Sequence, residues 1–162
     1  MFEKKIINEN NFYDDIILQL DALLDDGPTL ISQLANTSAL LNVYLENINW
    51  VGFYLHENDK LILGPFQGLP ACTQIELGKG VCGTSAIKRE VIRVEDVHLF
   101  PGHIACDGAS ESEIVLPIII NNELFGVLDI DSPIKNRFTV DDEFGLKNIV
   151  ELLERKLKLN NK

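Results

Sequence analysis

The chain has 162 residues, of which 46% are hydrophobic and 24% charged, a composition typical of a globular domain with enough length for a real core. Its formal net charge of −11 argues against nucleic-acid binding, which needs a basic face, and against an anionic membrane surface. No apolar run could span a bilayer and the amino terminus lacks a secretory apolar region, so we expect a single domain over residues 1–162 in the cytoplasm.

Amphipathic helices are predicted at both ends of the chain. Residues 12–24 and 29–45 carry apolar side chains three and four positions apart, with the turn sequence DDGP between the two runs. Near the carboxyl end, acidic residues after Thr139 mark the first turn of a helix that we expect to reach about residue 159. The chain therefore begins with two helices and finishes with one.

Between these helices the apolar period changes to two, which predicts strands. One hairpin joins residues 50–55 to 61–63, and a second joins 113–120 to 123–130. Hairpins of this kind indicate an α+β fold in which a central antiparallel sheet is flanked by two N-terminal helices and a C-terminal helix. The segments expected between the hairpins are a loop at 64–72, a short strand at 73–77, a short helix at 84–90 and a strand at 91–94.

A glycine-rich segment at residues 78–83 matches G-x-G-x-x-G, a pattern typical of dinucleotide-binding folds. Only residues 84–90 separate its glycines from the next predicted strand, whereas a βαβ crossover needs about a dozen residues or more. We therefore interpret the segment as a tight turn into a short helix and reject a dinucleotide site.

The three cysteines, Cys72, Cys82 and Cys106, are too few and too odd in number for a secreted disulfide framework. The default role of each is a small buried hydrophobic residue, but all three lie in polar, glycine-rich loops, which favours redox chemistry. Cys106 lies in the segment 100–113, where carboxylates outnumber positive charges. A thiol among acids suits a reaction in which an acid delivers a proton to the leaving oxygen.

Attack of Cys106 on a sulfoxide is a reaction of this kind, because the sulfoxide oxygen must be protonated before it can leave. The product on the protein is a sulfenic acid, which a second thiol can capture as a disulfide. Both Cys72 and Cys82 are available as that second thiol, and the residues alone do not choose between them.

Carboxylates and aromatic side chains are candidates for a binding pocket. Asp129 and Asp131 are two apart on a predicted strand, so both project from one face. Together with Glu113 they could hold a substrate ammonium group and still supply a proton. Trp50 and Tyr54 are four apart and also share a face. They are core aromatics if that face is internal, or a cage for an apolar ligand group if it lines a cavity.

Two other kinds of site were weighed. His98, His103 and Cys106, with Cys72 or Cys82, could form a tetrahedral zinc site, but the spacings match no standard ligand pattern. A serine hydrolase is disfavoured because no G-x-S-x-G segment is present. We expect neither a metal nor a cofactor.

The region from about residue 49 to 133 resembles the GAF-domain free methionine-R-sulfoxide reductases. The resemblance depends mainly on the three cysteines together with the runs around Cys106 and Asp129. The matching segments are NWVGFY at 49–54, GPFQG at 64–68, GVCG at 80–83, DVH at 96–98, FPGHIACD at 100–107, SEIV at 112–115 and GVLDIDSP at 126–133.

This resemblance implies reduction of free L-methionine (R)-S-oxide to L-methionine, with thioredoxin regenerating the protein. Cys106 matches the attacking thiol, Cys72 matches its disulfide partner, and Cys82 is an alternative partner or a relay. Glu113 matches a proton donor that also binds substrate. The implied substrate-binding residues are Trp50, placed against the substrate methyl group, with Tyr54, Glu113, Asp129 and Asp131.

A rival interpretation is a non-catalytic GAF module that senses a small molecule or a redox state. Such a module is usually attached to an output domain, and the sequence shows none, so we favour the enzyme. The resemblance also raises the expectation of a homodimer packed through the leading helices. Stereospecificity and selectivity for free over peptide-bound substrate rest wholly on the resemblance.

Overall fold

The computed structural model describes residues 3–5, 7, 9–25, 29–104 and 108–160. It contains helices and strands in the order expected from the sequence. The helices are α1 (Phe12–Asp25), α2 (Leu30–Tyr44), α3 (Gly80–Lys88) and α4 (Val140–Asn160). The strands are β1 (Trp50–Glu57), β2 (Lys60–Gly68), β3 (Gln74–Glu76), β4 (Ile92–Val94), β5 (Ser112–Ile120) and β6 (Glu123–Ser132).

The strands form one six-stranded sheet in the order β3-β2-β1-β6-β5-β4, and each recorded pairing is antiparallel. Two tight turns close its hairpins, at Asn58-Asp59 and at Asn121-Asn122, and all four residues have positive φ. Paired positive φ values give a turn whose twist matches that of the flanking strands, and Asn and Asp tolerate them well. The expected α+β fold, with its antiparallel sheet and flanking helices, is confirmed.

Helices α1, α2 and α4 cover one face of the sheet. Thr29 caps α2, because its hydroxyl accepts a hydrogen bond from the Ser32 amide. The layer between helices and sheet is almost entirely apolar. It includes Ile16, Leu20, Leu34 and Leu41 from α1 and α2, Val51 and Phe53 from β1, Ile114 and Leu116 from β5, Leu128 and Ile130 from β6, and Leu146, Ile149 and Leu153 from α4.

The sequence-based boundary of β2 was wrong, because residues 64–68 belong to the strand and not to a loop. Trp50 pairs with Gly68 in the β1–β2 ladder, and the register shifts between Gly52 and Tyr54. The shift places Gly64 and Pro65 together opposite one residue of β1, which is a β-bulge. A bulge accommodates a proline because no ladder hydrogen bond is required of it there.

Helix α3 begins at Gly80, four residues earlier than the sequence suggested, and it lies on the other face of the sheet. Within the part of the chain that the structure describes, no helix combines the length and apolar character needed to cross a membrane.

Candidate active site

Three acidic side chains meet on the sheet face opposite the three long helices. Glu113 on β5 pairs directly with Asp131 on β6, while Asp129 pairs with Val115, two residues along. Cross-strand partners point to the same face, so the register brings all three carboxylates together. They line a common cavity with α3. The sequence-based pairing of Asp129 with Asp131 on one face agrees with this arrangement.

The cavity is bounded by β1, β5 and β6 below, by the start of α3 on one side, and by His103, Ile104 and Ser110 on another. It is small, with about 30 Å³ accessible to the centre of a water molecule. Its described lining comprises Tyr54, Ile75, Lys79, Gly80, Val81, Cys82, His103, Ile104, Ser110, Glu113, Asp129 and Asp131.

Close packing of α3 on β3 sets the position of Cys82. A Cβ atom on Gly83 would lie 2.3 Å from the carbonyl oxygen of Glu76, so only glycine permits this approach. Cys82, the preceding residue, is buried, and its Sγ donates a long hydrogen bond to Oε1 of Glu113 at 3.8 Å. The glycine-rich segment therefore serves to hold a thiol against a carboxyl group.

Burial raises the pKa of Glu113 well above its ordinary value, and the nearby charges of Asp129 and Asp131 raise it further. Desolvation by burial also raises the pKa of Asp129, to about 6. With a pKa of about 6, Asp129 is largely ionised at neutral pH, while the raised pKa of Glu113 favours its protonated form. Environments that push the pKa values of neighbouring carboxyl groups apart in this way give one group the role of acid and the other that of counter-ion.

Oδ1 of Asp129 is buried and has no hydrogen-bond partner among the described residues. An ionised oxygen left unpaired in a buried position is costly, so a donor from a bound molecule would be strongly favoured there. His103 is not a cation for this purpose. Its Nε2 lies 3.8 Å from Oε2 of Glu113, and burial, followed by the charge of His98, lowers its pKa. Lys79 is the other basic side chain that lines the described cavity.

The two candidate aromatic residues occupy different positions relative to the cavity. Tyr54 lines it, whereas Trp50 is not among the described lining residues. Trp50 is stacked between Tyr54, at 5.8 Å between ring centroids, and Phe66, at 5.2 Å. Trp50 is thus a core aromatic in this structure, and its contact with a substrate methyl group stays a prediction.

The cysteines differ in oxidation state. Cys72 is disulfide-bonded, while Cys82 is a free, buried thiol. Burial raises the pKa of Cys82 well above its ordinary value, and the charges of Asp129 and Glu113 add to the effect. Cys106, the candidate nucleophile, lies outside the described residues.

Possible metal-ligand groups among the described residues fall into two sets. Cys82, Glu113 and Asp129 have ligand atoms within 4.8 Å of one another, and Asp96, His98 and Glu111 form the other set. In the second set Asp96 is already paired with Lys135 at 2.7 Å. Neither set contains His103, so the described residues show no ligand group that combines it with His98, as the sequence-based zinc alternative had done.

Sequence reasoning missed Ser110, to which it assigned no role. The structure buries this residue in the cavity wall, where its Oγ accepts a hydrogen bond from Nδ2 of Asn49 at 3.2 Å. No local signal distinguishes Ser110 from the loop residues around it. Only the pairing of segments 61 residues apart places it there.

Comparison with known proteins agrees with the fold, which is that of a GAF-type domain. The GAF domain family matches residues 19–157. Free methionine-R-sulfoxide reductase of Escherichia coli is 53% identical over 151 residues, which cover 93% of this chain and 92% of that protein. The yeast Saccharomyces cerevisiae protein of the same name is 43% identical, over 96% of this chain and 87% of its own length.

A solved structure is also similar to this chain in fold and in sequence. The X-ray structure of free methionine-R-sulfoxide reductase from Neisseria meningitidis in complex with its substrate superposes with a TM-score of 0.92 at 35% identity, covering 99% of this chain and 97% of that one. The chain belongs to the family of GAF-domain free methionine-R-sulfoxide reductases.

Proposed function

We propose that the protein reduces free L-methionine (R)-S-oxide to L-methionine, with Cys106 as the nucleophile and thioredoxin as the reductant. The observation that carries the proposal is the buried cluster of Glu113, Asp129 and Asp131 in one cavity, where burial raises the pKa of Glu113 and so favours its protonated form. Such a cluster supplies both a proton for a leaving oxygen and negative charge for an amino group. The identity to named reductases supports the same substrate.

In the first step the thiol sulfur of Cys106 attacks the sulfoxide sulfur while Glu113 donates its proton to the sulfoxide oxygen. The hydroxyl group then passes to Cys106. Methionine leaves, reduced by two electrons, and Cys106 remains as the sulfenic acid, oxidised by two electrons. The thiol proton of Cys106 restores Glu113 to its acid form, so atoms and charges balance.

Substrate recognition in this proposal depends on the ammonium group of the free amino acid. The unpaired Oδ1 of Asp129 is a suitable acceptor for it, and Asp131 adds a second negative charge at the same wall. A peptide-bound methionine sulfoxide has no ammonium group at this position. The proposal therefore accounts for selectivity for the free amino acid.

Cys72, and not Cys82, is proposed to resolve the sulfenic acid. The thiol of Cys72 attacks the sulfenic sulfur, water leaves, and a Cys72–Cys106 disulfide forms. Supporting observations are that Cys72 is disulfide-bonded while Cys82 is a free thiol with a raised pKa, which makes Cys82 a poor nucleophile near neutral pH. Thioredoxin then reduces the disulfide by thiol exchange, becoming oxidised itself.

The test is an assay that follows NADPH oxidation with thioredoxin, thioredoxin reductase and free methionine (R)-sulfoxide. We expect turnover by the native protein and none by Cys106→Ser, in which the nucleophile is lost. The (S)-sulfoxide and a peptide-bound sulfoxide should give no turnover. A protein that binds the sulfoxide but reduces it with neither thioredoxin nor dithiothreitol would be a sensor module and would refute the reductase proposal.

We also propose that residues 1–162 act as one domain, in the cytoplasm, as a homodimer packed through the leading helices. An apolar groove lined by Leu23, Ala39, Leu40 and Val43 lies between α1 and α2 and supports this surface. Sedimentation equilibrium of the native protein and of Val43→Glu tests the dimer. A native monomer would contradict it.

A further inference from the structure

The segment that carries Cys72 is held by two side chains from one face of β1. Nε1 of Trp50 donates a hydrogen bond to the carbonyl oxygen of Leu69 at 3.2 Å. The hydroxyl of Tyr54 donates to the carbonyl oxygen of Cys72 itself, at 3.1 Å. Just beyond, the amide of Leu63 donates to the carbonyl oxygen of Thr73 at 3.0 Å. The segment is therefore fastened to the sheet at Leu69, Cys72 and Thr73.

The hydrogen bond from Trp50 is held in place because the indole ring stacks against two other aromatic rings. Phe66 and Tyr54 stack against it with interplanar angles of 16° and 24°. The chain leaves β2 through Gly68, whose φ is +135°, and a Cβ atom there would lie 2.5 Å from Cδ1 of Trp50. Glycine thus lets the segment turn tightly over the indole ring, where the Leu69 carbonyl meets its donor.

Tyr54 links this segment to the cavity, because its ring lines the cavity and its hydroxyl holds Cys72. The pKa of the phenol is raised far above its ordinary value, first by burial and then by the charge of Asp129. The hydroxyl therefore remains a hydrogen-bond donor at neutral pH. Both hydrogen bonds run from side chains of the sheet to backbone carbonyls, in a structure in which Cys72 is disulfide-bonded.

We propose that Tyr54 and Trp50 are positioning residues for the resolving step: they hold the thiol of Cys72 in reach of the Cys106 sulfenic acid. This inference rests on the proposed function and gives the two aromatics a role beyond substrate contact. A thiol held close to its electrophile reacts at a high effective concentration, so the sulfenic acid is captured before it can be oxidised further. Freeing the segment would slow capture without removing any sulfur atom.

The experiment is a single turnover of fully reduced protein with methionine (R)-sulfoxide, with no reductant present, quenched at successive times. Methionine released reports the first step, dimedone adduct at Cys106 reports sulfenic acid, and loss of the Cys72 thiol reports the disulfide. Tyr54→Phe keeps the ring and removes only the donor to Cys72. We expect disulfide formation roughly 3- to 10-fold slower relative to methionine release, with more dimedone adduct, as for the loss of one hydrogen bond.

Trp50→Phe removes the other donor and should shift the same ratio in the same direction, and the double variant should shift it further. Tyr44→Phe is the matched control, because Tyr44 also buries a hydrogen-bonded hydroxyl but on the helix-covered side, next to Gln19. It should leave the ratio unchanged.

Equal slowing of both steps in Tyr54→Phe, or a ratio equal to that of the native protein, would overturn the positioning role. Absence of methionine in the native reaction would instead refute the proposed function, so the two failures are distinguishable.

Discussion

The two faces of the central sheet come from the same strands yet serve opposite purposes. On β5, Ile114 points to the helices and is completely buried, while its neighbour Glu113 points to the cavity and is only 5% exposed. The helix-covered face gains free energy from apolar burial. The cavity face removes carboxyl groups from water, which costs several kcal/mol for each ionised group.

The difference between the faces shows where the protein gives up stability for chemistry. The pKa values of Glu113 and Asp129 are raised because burial disfavours the charged forms of both groups, and this is the free-energy cost of placing them in the cavity. A sheet with two apolar faces would be more stable and would have no acid to donate. The contrast can be tested by changing one face at a time.

The largest effect is expected from Glu113→Gln on the cavity face. Loss of the proton donor should lower kcat by about 10²- to 10⁴-fold, while KM changes much less. Ile114→Val, one residue away on the helix face, is the matched control and should cost only about 0.5–1.5 kcal/mol of stability with kcat unchanged. A change confined to KM in Glu113→Gln would assign Glu113 to binding alone.

On the helix face, Leu128→Ala should destabilise the fold by about 2–5 kcal/mol, because it leaves a cavity in a completely buried apolar layer. At a temperature where the variant is folded, kcat should stay near that of the native protein. Thermal unfolding with a parallel activity assay measures both quantities. Loss of activity in the folded variant would show that the two faces are not independent.

The dependence of kcat/KM on pH should reveal the counter-ion on the cavity face. Because the pKa of Asp129 is raised to about 6, the carboxyl group becomes neutral below that pH and loses its attraction for the substrate ammonium. We expect kcat/KM to fall toward tenfold per pH unit below about pH 6. Asp129→Asn should show low kcat/KM without this acid limb. An unchanged acid limb in the variant would assign it to another group.

The smallest expected effect is on stability: Glu113→Gln should stabilise the fold, although it lowers kcat. A pKa raised in the folded state contributes stability at low pH that is lost as pH rises, because the unfolded chain releases its proton more readily. Glu113→Gln removes this penalty and should raise Tm at about pH 8 by a few degrees relative to the native protein, with a smaller gain at about pH 5. A lower Tm at both pH values would contradict the cost assigned to the cavity face.

Much of this contrast could be read from the sequence, because strand periodicity is local. Alternation placed Asp129 and Asp131 on one face and predicted both hairpins, and the asparagine pair at 121–122 marked a turn that the structure confirms. The helices were predictable from apolar spacing. Cysteines, acids and glycines in fixed order were specific enough to indicate the family.

Other features depended on contacts between distant segments and were beyond local patterns. The bulge that keeps Pro65 inside β2 arises from the register of β1 against β2, which periodicity does not encode. The place of Ser110 in the cavity wall follows from its contact with Asn49. Likewise, Trp50 carries no sign in the sequence that its indole nitrogen holds the segment before Cys72.

The central claim is that the acidic face supports a sulfoxide reduction in which Cys106 and Cys72 end as a disulfide and Cys82 remains a bystander. The most direct measurement is a single turnover of reduced protein with free methionine (R)-sulfoxide, followed by mass spectrometry of alkylated peptides. The account predicts one methionine per chain, a Cys72–Cys106 linkage and Cys82 as the one thiol still alkylated. Absence of methionine, or a disulfide that includes Cys82, would contradict it.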